Sequence, residues 1–469
     1  MLSVAEASIR ERFPGADVYL YGQENNPESH AICLADMLIK GQRADNIRFA
    51  DTMKEDCFPN DSFRLELINP PFGQAWGGKD AREGVERAVE REHERYNGRF
   101  PAGLPAKSDM QMLFAQHVVQ KLDQRRGRAC IVSNGSPLFS GGTRSGESQI
   151  RRWLLENDRI EAILALPTDL FYNTGIGIYV WVVSMDKRPE RRGKVQLIDA
   201  RDMWTPMRRS LGSKRKQISE VQIDEIVGIY SSFEEGEHCR ILPNEEFLYK
   251  EYTVRQPYRR SFRVCEERID AMGEGKFMDS MHNPAKLAEL EAKDPADRTT
   301  REETQLRKLV DSEATFQAMV VALRDVEDGR DWDDHDAFRK HVRGILRGAG
   351  VTVAANVLEK VVDALSVRDD SVPPRRDRQG LVVYDDSTKD TEVVKLSEDV
   401  EDHFEREVYP YVPDAKWFDD ETDRAVKTGA EIPFTRYFYR YVPPEPSQKL
   451  LGEFRELENQ LQDELRGLV

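Results

Sequence analysis

Apolar residues recur at helical spacing at the start of the chain. Leu2, Ala5, Ile9 and Phe13 share one face of a helix expected over 2–13. A short strand is expected at Val18–Tyr21. The helix that follows carries its own punctuation: Asn26 at the N-cap, Pro27 at the first position and Gly41 just past the end. Ile47–Ala50 reads as a strand. Phe63, Leu65 and Leu67 alternate with other residues into another strand, which stops at Asn69-Pro70-Pro71. Ser108 and Gln111 form a capping box, and the helix they open sets Met110, Leu113, Phe114, Val118 and Leu122 on one face. Ala129–Val132, Ile160–Leu166 and Ile178–Met185 read as further strands. This rhythm predicts an α/β fold, a mostly parallel sheet with helices on both faces.

Past about Phe262 the pattern changes. Residues 266–370 are helical, charged and poor in strand signal, and the Pro373–Arg376 stretch has the composition of a linker. Residues 405–444 are rich in aromatics and prolines, and Pro443, Pro444 and Pro446 close that segment. Leu450, Phe454, Leu457, Leu461, Leu465 and Leu468 then recur every three or four residues. Such a seam suits a coiled coil with a partner or docking on the chain's own domain. The expected divisions are 1–262, 263–395 and 396–469.

The length of 469 residues fits about two or three domains. No apolar run approaches a membrane span of about 18 residues, and the first residues do not read as a signal peptide. The five cysteines are scattered without a CxxC pair, which reads as reduced cytosolic thiols and argues against a zinc module. Net charge is −16, which argues against non-specific coating of nucleic acid. The charge is uneven, however. Lys187–Lys216 holds eleven Lys and Arg against three acids, while Ser397–Asp423 holds eleven acids against two bases. The basic stretch is either a solvated face or a phosphate-facing surface.

The motif Asn69-Pro70-Pro71-Phe72-Gly73 ends a strand. Two prolines forbid further ladder bonds and fix φ, so the chain leaves the sheet rigidly. In an open α/β sheet that edge is where ligands sit. An amide oxygen and a proline carbonyl make a pair of acceptors suited to an exocyclic amino group, and Phe72 offers a stacking face. Glu24 follows the strand Val18–Tyr21, and Asp51 ends the next. An acid at the end of the second strand of a Rossmann-like fold accepts ribose hydroxyls. Asp51 could accept from an adenine amino group. The order acid, acid, NPPF is far more specific than any one of the three.

These residues bring a family into view. The chain resembles the modification subunit of type I restriction-modification systems, an adenine-N6 DNA methyltransferase that uses S-adenosylmethionine. The similar stretches are 21–41, NIRFADTM (46–53), NPPFG (69–73), 108–122, 127–142, 150–183, 193–204 and EIPFTRYFYRYVPP (431–444). The resemblance implies that Asn69 and Pro70 hold the adenine N6 amino group, with Pro71 in the same motif, and that Phe72 stacks on the flipped base. It implies that Glu24 binds the cofactor ribose and Asp51 the cofactor adenine. Phe171 and Tyr172 would lie against the target base. No metal is implied. Partners would be double-stranded DNA and the specificity and restriction subunits, in the cytoplasm.

Chemistry agrees with that implication. A target atom inside a duplex must be extruded into a pocket, and an amino nitrogen then needs orientation more than a covalent nucleophile. Cytosine-C5 methyltransferases need a Cys after Pro, and this chain has no Pro-Cys pair. Asn rather than Ser before Pro-Pro favours adenine over cytosine N4. RNA and protein-glutamine methyltransferases also use NPPY-like motifs, but they leave EIPFTRYFYRY unaccounted for. One departure stands out. The family's glycine-rich cofactor motif is expected just before a segment like Met1-Leu2-Ser3. The expected fold is therefore a Rossmann-like methyltransferase sheet without its first strand, followed by a mainly helical C-terminal region. The competing expectation is a non-catalytic structural subunit, or a degenerate remnant, that assembles with the specificity subunit.

Overall fold

The computed structural model describes all residues except 274–276, 278–280, 282, 327–328, 423–424, 440, 442–446 and 467–469. Its backbone forms two units that do not follow chain order. One comprises Met1–Glu251, Val393–Asp399 and Asp420–Val469; the other comprises Tyr252–Glu392 and Val400–Asp419. These differ from the three consecutive segments expected from sequence.

In the first unit, helix α1 (Leu2–Arg12) buries only Glu6, which pairs with Arg10 at 2.8 Å. Strands β1 (Gly22–Glu24) and β2 (Ile47–Phe49) pair in parallel. β1 lies later than the expected Val18–Tyr21, because the Tyr21 ring joins Phe58 and Phe63, each 5.3 Å away, outside the ladder. Between the two strands runs α2 (Pro27–Ile39). It is capped as its sequence predicts: Asn26 Oδ1 accepts the Ser29 N–H at 2.9 Å, and Gly41 takes a positive φ of 69°.

The main sheet has six strands: β3 (Leu65–Ile68), β4 (Arg128–Ser133), β5 (Ile160–Leu166), β6 (Ile178–Ser184), β7 (Lys194–Asp199) and β10 (Cys239–Pro243). β8 (Thr205–Leu211) and β9 (Lys214–Gln217) form a separate antiparallel hairpin. The order across the sheet is β10-β7-β5-β6-β4-β3. β3–β4 and β5–β7 are parallel, whereas β4–β6, β5–β6 and β7–β10 are antiparallel. The sheet is thus mixed rather than mostly parallel. The reason is connection length. Residues 167–177, joining β5 to β6, are too few for the dozen or more that a parallel crossover needs. The C-terminal ends of β3, β4, β5 and β7 nevertheless share one edge, and β6 starts there.

Helices α3 (Val85–Glu94), α4 (Gln111–Lys121), α5 (Ser136–Phe139), α6 (Gly146–Glu156) and α7 (Glu220–Ser232) pack around this sheet. Met112, Val118 and Val119 of α4 join Ile150 and Leu154 of α6 and the strands β4, β5 and β6 in the main core. Val85 and Val89 of α3 join Met53, Trp76, Phe100, Met110 and Leu113 in a second. The expected capping box at Ser108 does not form. Asp109 is closer to the first turn: its Oδ1 accepts the Gln111 N–H at 3.1 Å, and its Oδ2 accepts from Gln111 Nε2 at 2.7 Å.

The closing segment belongs to this unit. Thr428–Ala430 pairs antiparallel with Leu248–Lys250. The fully buried Arg151 of α6 donates to the carbonyls of Ala430 (2.7 Å), Pro137 (3.0 Å) and Ser140 (2.8 Å). Ile432 and Phe434 then enter the main core. These bonds explain why the segment after residue 420 returns to the first unit. The final helix, Ser447–Arg466, leaves Leu450, Phe454, Leu457 and Leu461 each more than half exposed. The Leu465 side chain, Leu468 and the closing prolines Pro443, Pro444 and Pro446 lie outside the described residues.

The second unit is built on the helices Glu266–Met272, Pro284–Ala292, Thr300–Arg324, His335–Gly348 and Ala355–Ala364, as the sequence pattern predicts. Phe262, Phe316, Phe338, Leu346 and Val362 form its core. The Pro373–Arg376 stretch is no linker. The Arg375 N–H donates to Tyr258 O and its carbonyl accepts from Val383, both at 2.9 Å, which seats the stretch inside the unit.

Candidate active site

Asn69 follows the last residue of β3 directly. It is exposed, and its side chain makes no hydrogen bond among the described residues. Pro70 behind it is buried and lines a crevice with Gln111, Ser133, Pro137 and Trp181. That wall is fixed, because the Trp181 indole N–H donates to Ser133 Oγ at 2.9 Å. Phe72 is half-buried, and Gly73 takes a φ of 65°, which turns the chain. Beyond the turn, Met110 N–H donates to Gln74 O at 3.1 Å and the Trp76 indole donates to Ala106 O at 3.0 Å. The motif is therefore clamped on both sides while its amide stays open to solvent.

Glu24 is the last residue of β1. Its Oε1 accepts the Asn26 N–H at 2.8 Å, which turns the carboxylate toward the start of α2. Asp51 lies two residues past β2. Its Oδ1 accepts the Met53 N–H at 3.0 Å and its Oδ2 pairs with Arg82 at 3.1 Å. Both acids sit at the C-terminal ends of adjacent parallel strands. No hydrogen bond or ion pair joins either to Asn69 among the described residues. Each carboxylate keeps acceptor capacity beyond these bonds.

Phe171 and Tyr172 lie in the β5–β6 connection. Phe171 is half-buried and Tyr172 is 63% exposed. Strand directions place this loop, Asn69 and the turn after β4 on the same edge of the sheet. The connection after β7, which carries the β8–β9 hairpin, starts from that edge as well.

A group of charged side chains behind β3 escapes the sequence reading. Burial, opposed by nearby Lys121, pushes the Glu66 carboxyl up to about 8, and its Oε1 is buried without a hydrogen-bond partner. Burial and the neighbouring Arg99 guanidinium push the His117 imidazole down to about 3. Lys121 pairs with Asp56 at 2.9 Å, and Arg99 donates to Met53 O at 3.0 Å. The alternation of Leu65 and Leu67 with Glu66 suggests that the leucines face the core. Instead Leu65 and Leu67 are 54% and 38% exposed. β3 is an edge strand, so nothing among the described residues covers that face.

Among the described residues, no three His, Cys, Asp or Glu side chains converge as a metal would need, and no helix is long and apolar enough to cross a membrane.

Comparison with known proteins follows the same residues. The family model for N-6 DNA Methylase matches residues 2–261. The type I restriction enzyme MjaIX methylase subunit of Methanocaldococcus jannaschii is 25% identical over 236 residues, 50% of this chain and 40% of that one. The HindI methylase subunit of Haemophilus influenzae is 28% identical over 189 residues, 40% of this chain and 39% of that one. A type I restriction-modification methyltransferase subunit from Streptococcus thermophilus superposes with a TM-score of 0.44 at 26% identity, covering 52% of this chain and 48% of that one. The matched stretches thus span less than half the length of these relatives. The family model covers more than half of the chain, from α1 through the NPPF motif to the end of the main sheet, and the chain belongs to the N-6 DNA methylase family.

Proposed function

We propose that the chain methylates adenine N6 in double-stranded DNA, with S-adenosylmethionine as methyl donor. It would act as the modification subunit of a type I restriction-modification complex. The observation that carries this reading is Asn69. Its amide is exposed, unbonded and rigidly held at the strand edge where the connecting loops gather.

In this reading Asn69 Oδ1 and the Pro70 carbonyl accept the two amino hydrogens of an extruded adenine. That orients the nitrogen lone pair away from the ring and gives the departing proton an acceptor. Pro70 and Pro71 hold the two oxygens in place. Phe72 and Tyr172 offer faces against which the base can stack. S-adenosylmethionine, when bound, supplies an electrophilic methyl group on a sulfonium centre. Glu24 would accept from its ribose hydroxyls, since one carboxylate oxygen remains free of the Asn26 bond. Asp51 would accept from its adenine amino group.

The cofactor site extends past these acids. The family resemblance places one more strand, with its glycine-rich turn, between β1 and β3. Two observations support that place: β1 pairs only with β2 among the described residues, and β3 is the open edge of the main sheet. Until a strand fills it, the methionine part of the cofactor has no cradle. Isothermal titration of the chain by itself with S-adenosylmethionine should therefore show binding far weaker than that of the completed sheet. Tight binding to the chain alone would contradict the proposed place.

Specificity and restriction subunits would supply sequence recognition and cleavage, and the exposed seam of the last helix is the surface proposed for the specificity subunit. DNA as substrate places the chain in the cytoplasm. The test is methyl transfer by the complex assembled with the specificity subunit. Asn69→Ala should lower the rate at least about 100-fold while assembly stays intact, because the nitrogen loses its orienting acceptor. A complex that transfers methyl groups equally well without Asn69 would sink the assignment.

A further inference from the structure

We propose that the β8–β9 hairpin grips the phosphate backbone beside the extruded base and, through Tyr172, sets the loop that meets that base. This rests on the DNA-methylation reading above and adds to it a backbone contact and a coupling.

Structure resolves the basic stretch into two halves. In the first, the cations are used internally. Lys187 pairs with Asp158 at 2.5 Å, Arg191 donates to Gln196 Oε1 at 2.7 Å, Arg192 pairs with Asp186 at 3.1 Å, and Arg201 with Asp199 at 2.7 Å. The second half is the hairpin. Residues 205–217 hold Arg208, Arg209, Lys214, Arg215 and Lys216 and no acid. None of the five forms an ion pair among the described residues, and Arg208, Arg209 and Arg215 are exposed. Five uncompensated cations on thirteen residues, in a chain of net charge −16, are costly by self-repulsion unless an anion meets them. Their spacing along an extended ribbon suits a row of phosphates.

The hairpin is also tied to the target-base loop. Ser213 N–H donates to Tyr172 O at 2.8 Å, and Arg215 N–H donates to Asp169 O at 3.0 Å. Lys214 Nζ stands 5.1 Å from the centre of the Tyr172 ring. At Gly212, with φ of 61°, a Cβ would sit 2.4 Å from the Tyr172 carbonyl oxygen, so only glycine permits the approach. A phosphate drawn to the hairpin therefore acts on the backbone that carries Tyr172. Gly212 and Lys214 are positioning residues in this arrangement, since they act through Tyr172.

Two variants of the full chain test the proposal. In the first, Arg208, Arg209 and Arg215 are all changed to Gln. These side chains are exposed, and an unchanged thermal midpoint confirms folding. Binding to a short fluorescent DNA duplex is followed by anisotropy against NaCl concentration. The slope of log K against log salt should shrink by about 2.7, from three phosphate contacts at about 0.9 each. The second variant is Gly212→Ala, assayed in the complex with the specificity subunit. It should lower kcat for methyl transfer and leave KM for DNA in place, whereas the arginine variant should raise KM and leave kcat. If wild type binds and methylates DNA but the salt slope is unchanged in the triple variant, the grip is overturned. If Gly212→Ala leaves kcat untouched, the coupling is overturned. A wild-type complex that neither binds nor methylates duplex DNA overturns the DNA-methylation reading itself, and the hairpin proposal with it.

Discussion

Glu66 shows how one residue records its neighbours. It sits on an edge strand with one carboxylate oxygen buried and unpartnered, and its carboxyl is pushed up to about 8. Unfolded, the same group ionises near 4.5. Its cost to stability is therefore absent below about pH 4.5, grows as pH rises and is complete above about 8. His117 has the opposite sign. Its folded value of about 3 lies below the model value of 6.5, so its cost appears as pH falls through that interval. Glu66→Gln should thus raise stability by about 2 kcal/mol at pH 8 and by almost nothing at pH 4. Urea midpoints at the two pH values check this. An equal effect at both would mean that Glu66 is not held neutral. At this scale the sequence was informative about Asn69, Glu24 and Asp51, because prolines and strand ends mark positions by local rules. It was blind to Glu66 and His117, whose character comes from burial among residues as distant as Asp56 and Arg99.

At the scale of elements, Arg151 is the clearest case. Its guanidinium satisfies three carbonyls and fastens the strand Thr428–Ala430 to α6, some 280 residues away in the chain. Burial lowers its pKa to about 10, so it remains charged at neutral pH. Arg151→Met leaves those carbonyls buried without donors, and stability should fall by about 3 kcal/mol or more. Limited proteolysis should then cut first between 420 and 439; a cut elsewhere first would show that Arg151 does not hold this segment. The local signals explain what was legible. Apolar runs marked β4, β5 and β6 to within a residue, and the Asn-Pro…Gly punctuation marked α2. Local signals could not show that Thr428–Ala430 pairs with Leu248–Lys250, because partner choice lies outside any window of sequence. Nor could they show that the β5–β6 connection reverses direction, which made the sheet mixed.

For the whole molecule, acidity and DNA binding are reconciled by distribution. The acids dominate the total, while the free cations are concentrated on one hairpin beside the proposed base site. Apolar surface is distributed in a similar way. Leu65 and Leu67 on the open sheet edge, and Leu450, Phe454, Leu457 and Leu461 on the last helix, mark two places where other polypeptide would bury side chains. Deleting 447–466 should abolish or weaken co-purification with a specificity subunit at least about tenfold while the first unit stays folded, since the seam offers four large apolar side chains. Undiminished co-purification would assign the seam elsewhere.

The most direct measurement identifies the product. The chain, assembled with a specificity subunit, is incubated with duplex DNA and isotope-labelled S-adenosylmethionine, and the DNA is digested to nucleosides for mass spectrometry. The predicted result is label on N6-methyladenine, absent when Asn69 is replaced by Ala. Label on cytosine, or label that persists without Asn69, would contradict the account.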